Sequence, residues 1–159
     1  ITDRRSALRR SLTGRDTYYV AKRRHDTVGW ARMRKDVSGN LLEKAHKRMS
    51  NIHMYAAIGD VCIEPREQHL GTGTALIFTG LQDMHPNHPV TTYTTTNNLP
   101  LIDKLDRFGF TVTGSQKRPD LYGDLEVEEV RLLGPANAEL QERMKSRYSW
   151  LARSDILGR

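Results

Sequence analysis

The sequence predicts an α+β domain built on a mixed sheet, and three observations predict it. Two strand-like runs each lead directly into a helical pattern, at residues 56–84 and 90–108; other strand-like runs flank them in pairs; and 159 residues suffice for one domain with one proper core. A strand–helix unit sets its next strand parallel, whereas a tight turn reverses the chain, so the two kinds of connection together call for a mixed sheet.

The elements follow in order. SALRRSL (6–12) is short and helix-compatible, with Gly14 as its stop. TYYVAKRR and TVGWARMR, rich in aromatic and β-branched residues and separated by His25 and Asp26, read as an antiparallel hairpin. Residues 38–55 open on a turn signal and continue as a basic, methionine-containing stretch with neither period, which reads as a mobile loop. AAIGDVCIEP is a strand that Pro65 ends. Ala75, Leu76, Leu81 and Met84 then fall near helical spacing, and the helix must stop before Pro86.

VTTYTTT is threonine-rich and reads as a strand. In NNLPLIDKLDRFGF, Asn98 is a candidate cap, Pro100 suits the first turn, Leu101, Leu105 and Phe108 repeat on one face, and Gly109 terminates. FTVTGS and LEVEEVRLL read as strands around the loop KRPDLYGD. The last helix carries Leu140, Met144, Tyr148 and Leu151 as a packing stripe.

Composition narrows the classes. With 37% apolar and 28% charged residues the chain is neither disordered nor membrane-like. Charges occupy the N-terminal stretch where a signal peptide would be apolar, so a cytoplasmic location is expected. The single cysteine, Cys62, excludes an intramolecular disulfide and reads as a small buried strand residue. Six histidines lack the HExxH spacing, and no metal is expected, although His85 and His88 flank a proline turn. A net charge of +6 favours an anionic partner such as a nucleotide cofactor, nucleic acid or an acidic protein; no membrane partner is expected.

The segment EPREQHLGTGTAL concentrates the chemistry. A strand ending at Pro65 and a helix starting near Gly71 gather unpaired N–H groups at the positive end of a helix dipole, a phosphate-binding arrangement. Glycines at 71 and 73 let a pyrophosphate approach the backbone. No lysine follows Gly73, so the P-loop pattern fails, and GTGTAL lacks the third glycine of the dinucleotide fingerprint.

VCIEPREQHLGTGTAL resembles the acyl-CoA-binding signature of the GNAT-type N-acetyltransferases: a strand, an acid–proline corner, then [Q/R]xxGx[G/A], with Gln68, Gly71 and Gly73 in the defining positions. NNLPLIDKLDRFGF is similar to that family's N-x6-Y-x3-GF segment, with Leu105 where the tyrosine usually stands, and the element order agrees from about residue 16 to residue 134. The resemblance implies a GNAT-like acyl-CoA-binding fold with a shortened N-terminus, a domain at 1–134 and an added C-terminal helical extension at 135–159. It implies an acetyl-CoA-dependent N-acetyltransferase with acetyl-CoA as co-substrate. The strand at Val61, Cys62 and Ile63 would splay from VTTYTTT and pair with the pantetheine arm. Amides of His69, Leu70, Gly71, Thr72, Gly73 and Thr74 would hold the pyrophosphate, and Asn98 would contact the arm.

Acyl transfer to an amine needs a neutral amine and a proton for the departing thiolate. With Leu105 replacing the usual tyrosine, Tyr93 is the preferred acid and Tyr122 the substitute. Asp60, Cys62 and Glu64 share a strand face by alternation; Asp60, further inside, is the candidate base, where burial would raise its pKa, while Glu64 could cap the corner or pair with Arg66.

The acceptor stays open between a small molecule, a protein and an RNA-linked amine, chosen by loops 38–55 and 116–124. A catalytically silent GNAT-fold module docking on nucleic acid or a protein assembly is the alternative. Two readings of the N-terminus also stay open, a fragment of a longer chain or a missing first strand whose exposed edge a partner would cover. The C-terminal stripe could pack back on the domain, form a homodimer or join a larger assembly.

Overall fold

Seven strands form one mixed sheet in the order β1-β2-β3-β4-β5-β7-β6. The computed structural model describes residues 2–3, 16–38, 54–123 and 125–153. The strands are β1 (Thr2–Asp3), β2 (Asp16–Arg23), β3 (Asp26–Ser38), β4 (Met54–Ile63), β5 (Pro89–Thr95), β6 (Thr111–Lys117) and β7 (Glu128–Ala136). The helices are α1 (Thr72–Gln82), α2 (Leu99–Arg107), α3 (Pro119–Tyr122) and α4 (Asn137–Arg147). The helix proposed at 6–12, the heart of the loop proposed at 38–55 and the last six residues lie outside the described residues.

The hairpin forms as its β-rich runs require, turning at Arg24, whose φ of 57° is left-handed. The two strand–helix units also form, and β4 and β5 are the parallel pair between them. Of the two readings of the N-terminus, the missing first strand does not hold: a two-residue strand pairs there, with Thr2 opposite Ala21 and Asp3 opposite Val20. These two pairings cover the Val20–Ala21 part of that edge.

The core lies on one face of the sheet, under α1 and α4. Leu76 and Leu81 of α1 are fully buried, as are Met33 of β3, Val90 of β5 and Leu132 of β7. Each such side chain contributes about 1.5–3 kcal/mol relative to exposure. The helix approaches the sheet closely because Gly80 faces Met33; a Cβ there would lie 1.9 Å from the methionine sulfur.

The C-terminal stripe packs back on the domain. Leu140, Met144 and Leu151 are buried in the same cluster, and Tyr148 packs against it. A polar joint fixes α4 to the end of α1: Asn137 is fully buried and its amide donates to the carbonyls of Leu81 at 2.7 Å and of Met84 and His85 at 3.2 Å. The other face of the sheet carries charged side chains.

Candidate active site

The pairing of β4 with β5 stops after two residues, Ala56 opposite Val90 and Ala57 opposite Thr91. Beyond that point only side chains bridge the strands. The Thr92 hydroxyl donates to the Ile58 carbonyl at 3.2 Å, and the Tyr93 hydroxyl donates to Asp60.

A bulge in β4 produces the parting. Met33 faces Ile58 and Ala31 faces Val61, so Gly59 and Asp60 share a single partner, Arg32. The extra residue reverses the alternation: Ile58 faces the core, whereas Asp60, two residues on, lines the open face with Arg32 and Tyr93. Glycine at 59 is required by space, because a Cβ would stand 2.9 Å from the Arg32 carbonyl oxygen.

Past the bulge, the Glu64 N–H donates to Val28 on β3 at 2.9 Å. By alternation Cys62 also turns its backbone groups to β3, and Val61 and Ile63 turn theirs to the gap. Of the three residues expected to meet a pantetheine arm, Val61 and Ile63 therefore turn their backbone groups to the gap and Cys62 does not. The Ile63 carbonyl accepts a bond from the Gln68 amide at 3.1 Å, which folds the start of the glycine turn back on the strand. Cys62 is exposed, which corrects its reading as a buried strand residue, because its side chain stands on the open face beyond the parting.

The glycine turn is anchored at Glu67, a buried carboxylate that accepts a bond from Arg23 at 3.0 Å. His69 and Gly71 adopt left-handed φ of 65° and 88°, turning the chain into α1. The first helical bond runs from the Ala75 N–H to the Gly71 carbonyl at 2.9 Å, and no side chain caps the helix. The N–H groups of Thr72, Gly73 and Thr74 are left to an outside acceptor.

The two glycines have different reasons. At Gly71 a Cβ would lie 3.0 Å from the Trp150 ring, so the C-terminal segment reaches the turn. At Gly73 a Cβ would meet nothing nearer than Ile63 at 3.6 Å. Packing explains the first; at the second a Cβ would make only ordinary van der Waals contact with Ile63 and Val61, so packing does not require the glycine. Leu70 is 64% exposed beside them.

Asp60 is not buried as expected. Its side chain is 47% exposed and one oxygen takes the Arg32 guanidinium at 2.8 Å, while the other takes Tyr93. Burial, with the bond to Asp60 second, pushes the Tyr93 phenol up to about 12. Glu64 makes no capping bond to the turn that follows it. Asn98 occupies the cap position of α2, but its side chain does not cap; it donates instead to the Thr94 hydroxyl at 3.3 Å. Leu105 packs against the core, so the usual tyrosine position is apolar in place as well as in sequence.

A cavity of ≈ 710 Å³ opens beside Asp60 and Tyr93, with Tyr122 also on its wall. Its charged lining was missed in the sequence: Arg32 and Arg34 of β3, Asp16 of β2, Glu129 and Arg131 of β7 and Arg118. The signal was present in two places. Charges alternate at 32 and 34 and at 129 and 131, and the apolar positions 56 and 58 resume at 61 and 63, a slip that marks the bulge. Among the described residues no group of three or more metal-capable side chains gathers; the His85 and His88 rings stack at 4.3 Å.

No family model matches the sequence, and no curated protein matches it. Solved structures match in shape. A Bacillus anthracis protein described as a streptothricin acetyltransferase, in complex with acetyl coenzyme A, aligns with a TM-score of 0.53 at 19% identity over 76% of this chain and 62% of its own. Nourseothricin acetyltransferase aligns at 0.52 and 17% identity over 76% and 65%. The NatC complex bound to Gag peptide and CoA aligns at 0.54 and 15% identity over 74% and 70%. The chain thus spans less than two thirds of the first two. At these identities the likeness establishes architecture alone: the chain has the fold of these acetyltransferases, the GNAT-like α+β fold.

Proposed function

We propose that the chain transfers an acyl group, most simply acetyl, from acyl-CoA to an amine. One observation carries the reading: the gap-facing backbone of β4 beyond the bulge and the bare N–H groups at the start of α1 lie in succession along one stretch, residues 61–74. The first suits the amide arm of pantetheine as an added strand, and the second suits a pyrophosphate. The solved relatives of this shape include one holding acetyl coenzyme A and one holding CoA with a peptide.

In the reaction the neutral amine attacks the thioester carbonyl, the C–S bond breaks, the amine gives up a proton, and sulfur leaves to become a thiol. The gap-facing N–H of Val61, nearest the bulge, is positioned to donate to the carbonyl oxygen as charge builds there. Tyr93 stays neutral and is held by Asp60 at the mouth of the gap. A phenol near 12 is too weak an acid to hand its proton outright to a thiolate whose conjugate acid is near about 8.5. Its role is then to turn its single O–H from Asp60 to the departing sulfur and donate a hydrogen bond there, with the proton supplied finally by the amine. Asp60 orients Tyr93 and receives the incoming amine on the open face.

A silent binding module has no use for the uncapped helix mouth, which weighs against that alternative. The test is calorimetric titration with acetyl-CoA, CoA and ATP. Saturable binding of the two CoA compounds and none of ATP is the expected result; a folded sample that binds none of them overturns the reading.

A further inference from the structure

We infer that the acceptor is a small amine carrying its own carboxylate close by, of amino-acid type; the inference rests on acyl transfer at the parted strands. Four side chains cross the open face in a row: Arg32 on β3, Asp60 on β4, Tyr93 on β5 and Arg131 on β7. Arg32 faces the bulge holding Asp60, Tyr93 bonds to Asp60, and Tyr93 lies directly opposite Arg131 in the β5–β7 register. Side chains directly opposite on one face are about 5 Å apart at Cβ. The anion-binding group therefore stands one strand away from the tyrosine at the reacting centre, a spacing that suits an amine and a carboxylate borne on one short carbon frame.

Arg131 has capacity for such a ligand. Its Nη2 pairs with Glu129 at 3.0 Å, and its other guanidinium N–H groups have no partner among the described residues. Glu129 is 4% exposed at its side chain and is also reached by Arg118 at 3.4 Å, so its charge does not depend on Arg131 alone. The other charges of the wall are paired: Asp16 takes Arg34, Asp60 takes Arg32, and Arg118 is taken by Asp120, which lies off the wall. A wall with both signs, four arginines against three carboxylates, and one open fork favours a ligand with both an amine and an anion over a bare cation. A volume of ≈ 710 Å³ accommodates such a molecule.

The test compares matched pairs by the release of free thiol from acetyl-CoA: L-phenylalanine with phenethylamine, L-histidine with histamine, and L-lysine with cadaverine. The amino acids should exceed their decarboxylated partners in kcat/KM by on the order of tenfold to a hundredfold. Arg131→Gln should erase that preference by raising the KM of the amino acids toward that of their decarboxylated partners, and Arg131→Lys should keep part of it. Equal rates within pairs, or turnover of no member while acetyl-CoA still binds, overturns the inference and spares the acyltransferase reading. Loss of acetyl-CoA binding overturns both. If Arg131→Gln does not fold, the pairs measured on the unaltered chain decide alone.

Discussion

The indole of Trp150 lies over Gly71, so near that a Cβ on the glycine would be 3.0 Å from its ring. Gly71 also sits at a φ of 88°, where an L side chain costs roughly 1–2 kcal/mol. Gly73 has neither constraint, and replacing a helical glycine by alanine gains up to about 1 kcal/mol. Gly71→Ala should therefore lower the melting temperature, while Gly73→Ala should hold or raise it and still weaken acetyl-CoA binding by filling the helix mouth. Thermal melts with and without acetyl-CoA check both. Unchanged affinity in Gly73→Ala would remove the helix mouth from the cofactor site.

That contrast shows where the sequence was legible. Glycine before a helical pattern announces a turn, and the two strand–helix units announce the parallel pair, because both depend on local spacing. What a glycine avoids is a tertiary fact: nothing near Gly71 in sequence points to Trp150. The charged wall failed for a related reason, since Arg32, Arg34, Glu129 and Arg131 alternate as any solvated sheet face would. The expected burial of Asp60 does not hold, and its face is only partly explained by alternation. Alternation places it with Cys62 and Glu64, but only the bulge turns it away from the face of Ile58 and onto that of Tyr93.

Tyr93→Phe should separate binding from turnover. The variant loses the hydrogen bond to Asp60, whose other oxygen keeps Arg32, so acetyl-CoA affinity should hold while kcat falls by about tenfold or more. The phenol is pushed up to about 12, so it stays protonated through the usual assay range, and the pH–rate curves of the two proteins should run parallel up to about pH 10. The stability linked to this group follows the same sign. The folded protein holds the proton more tightly than the unfolded chain, so the contribution is complete below about pH 10 and is lost as pH rises through about 12. An alkaline limb present near pH 8 in the unaltered chain and absent in Tyr93→Phe would contradict this assignment.

Trp150 offers a direct report on the turn. It packs against Gly71 and Tyr148, while the second tryptophan, Trp30, lies on β3 beside Tyr18. In a Trp30→Phe background the remaining emission comes from the indole over the glycine turn. Acetyl-CoA should quench or shift it in a saturable way, and ATP should leave it unchanged. A flat signal, in a sample shown by calorimetry to bind acetyl-CoA, would place the ligand away from the turn.

Asn137 should prove the most demanding polar side chain in the fold. It is fully buried, and its amide bonds to three carbonyls at the end of α1, where four orphan acceptors need partners. Its backbone N–H also donates to the His88 carbonyl at 2.8 Å, which sets where β7 becomes α4. Asn137→Ala removes the side-chain donor from all three, although Leu81 keeps the Met84 N–H and the Gln141 amide and His85 keeps the His88 N–H, a loss of about 1–3 kcal/mol, and Asn137→Asp removes the donor while adding a charge. Urea midpoints should fall in the order unaltered chain, alanine, aspartate. Because α4 leads to the segment that carries Trp150, both variants should also loosen the contact with Gly71, read as a red shift of Trp150 emission in the Trp30→Phe background before the global transition. A midpoint within error of the unaltered chain for Asn137→Ala would mean that water replaces the amide and that the joint between α1 and α4 is held by its apolar contacts alone.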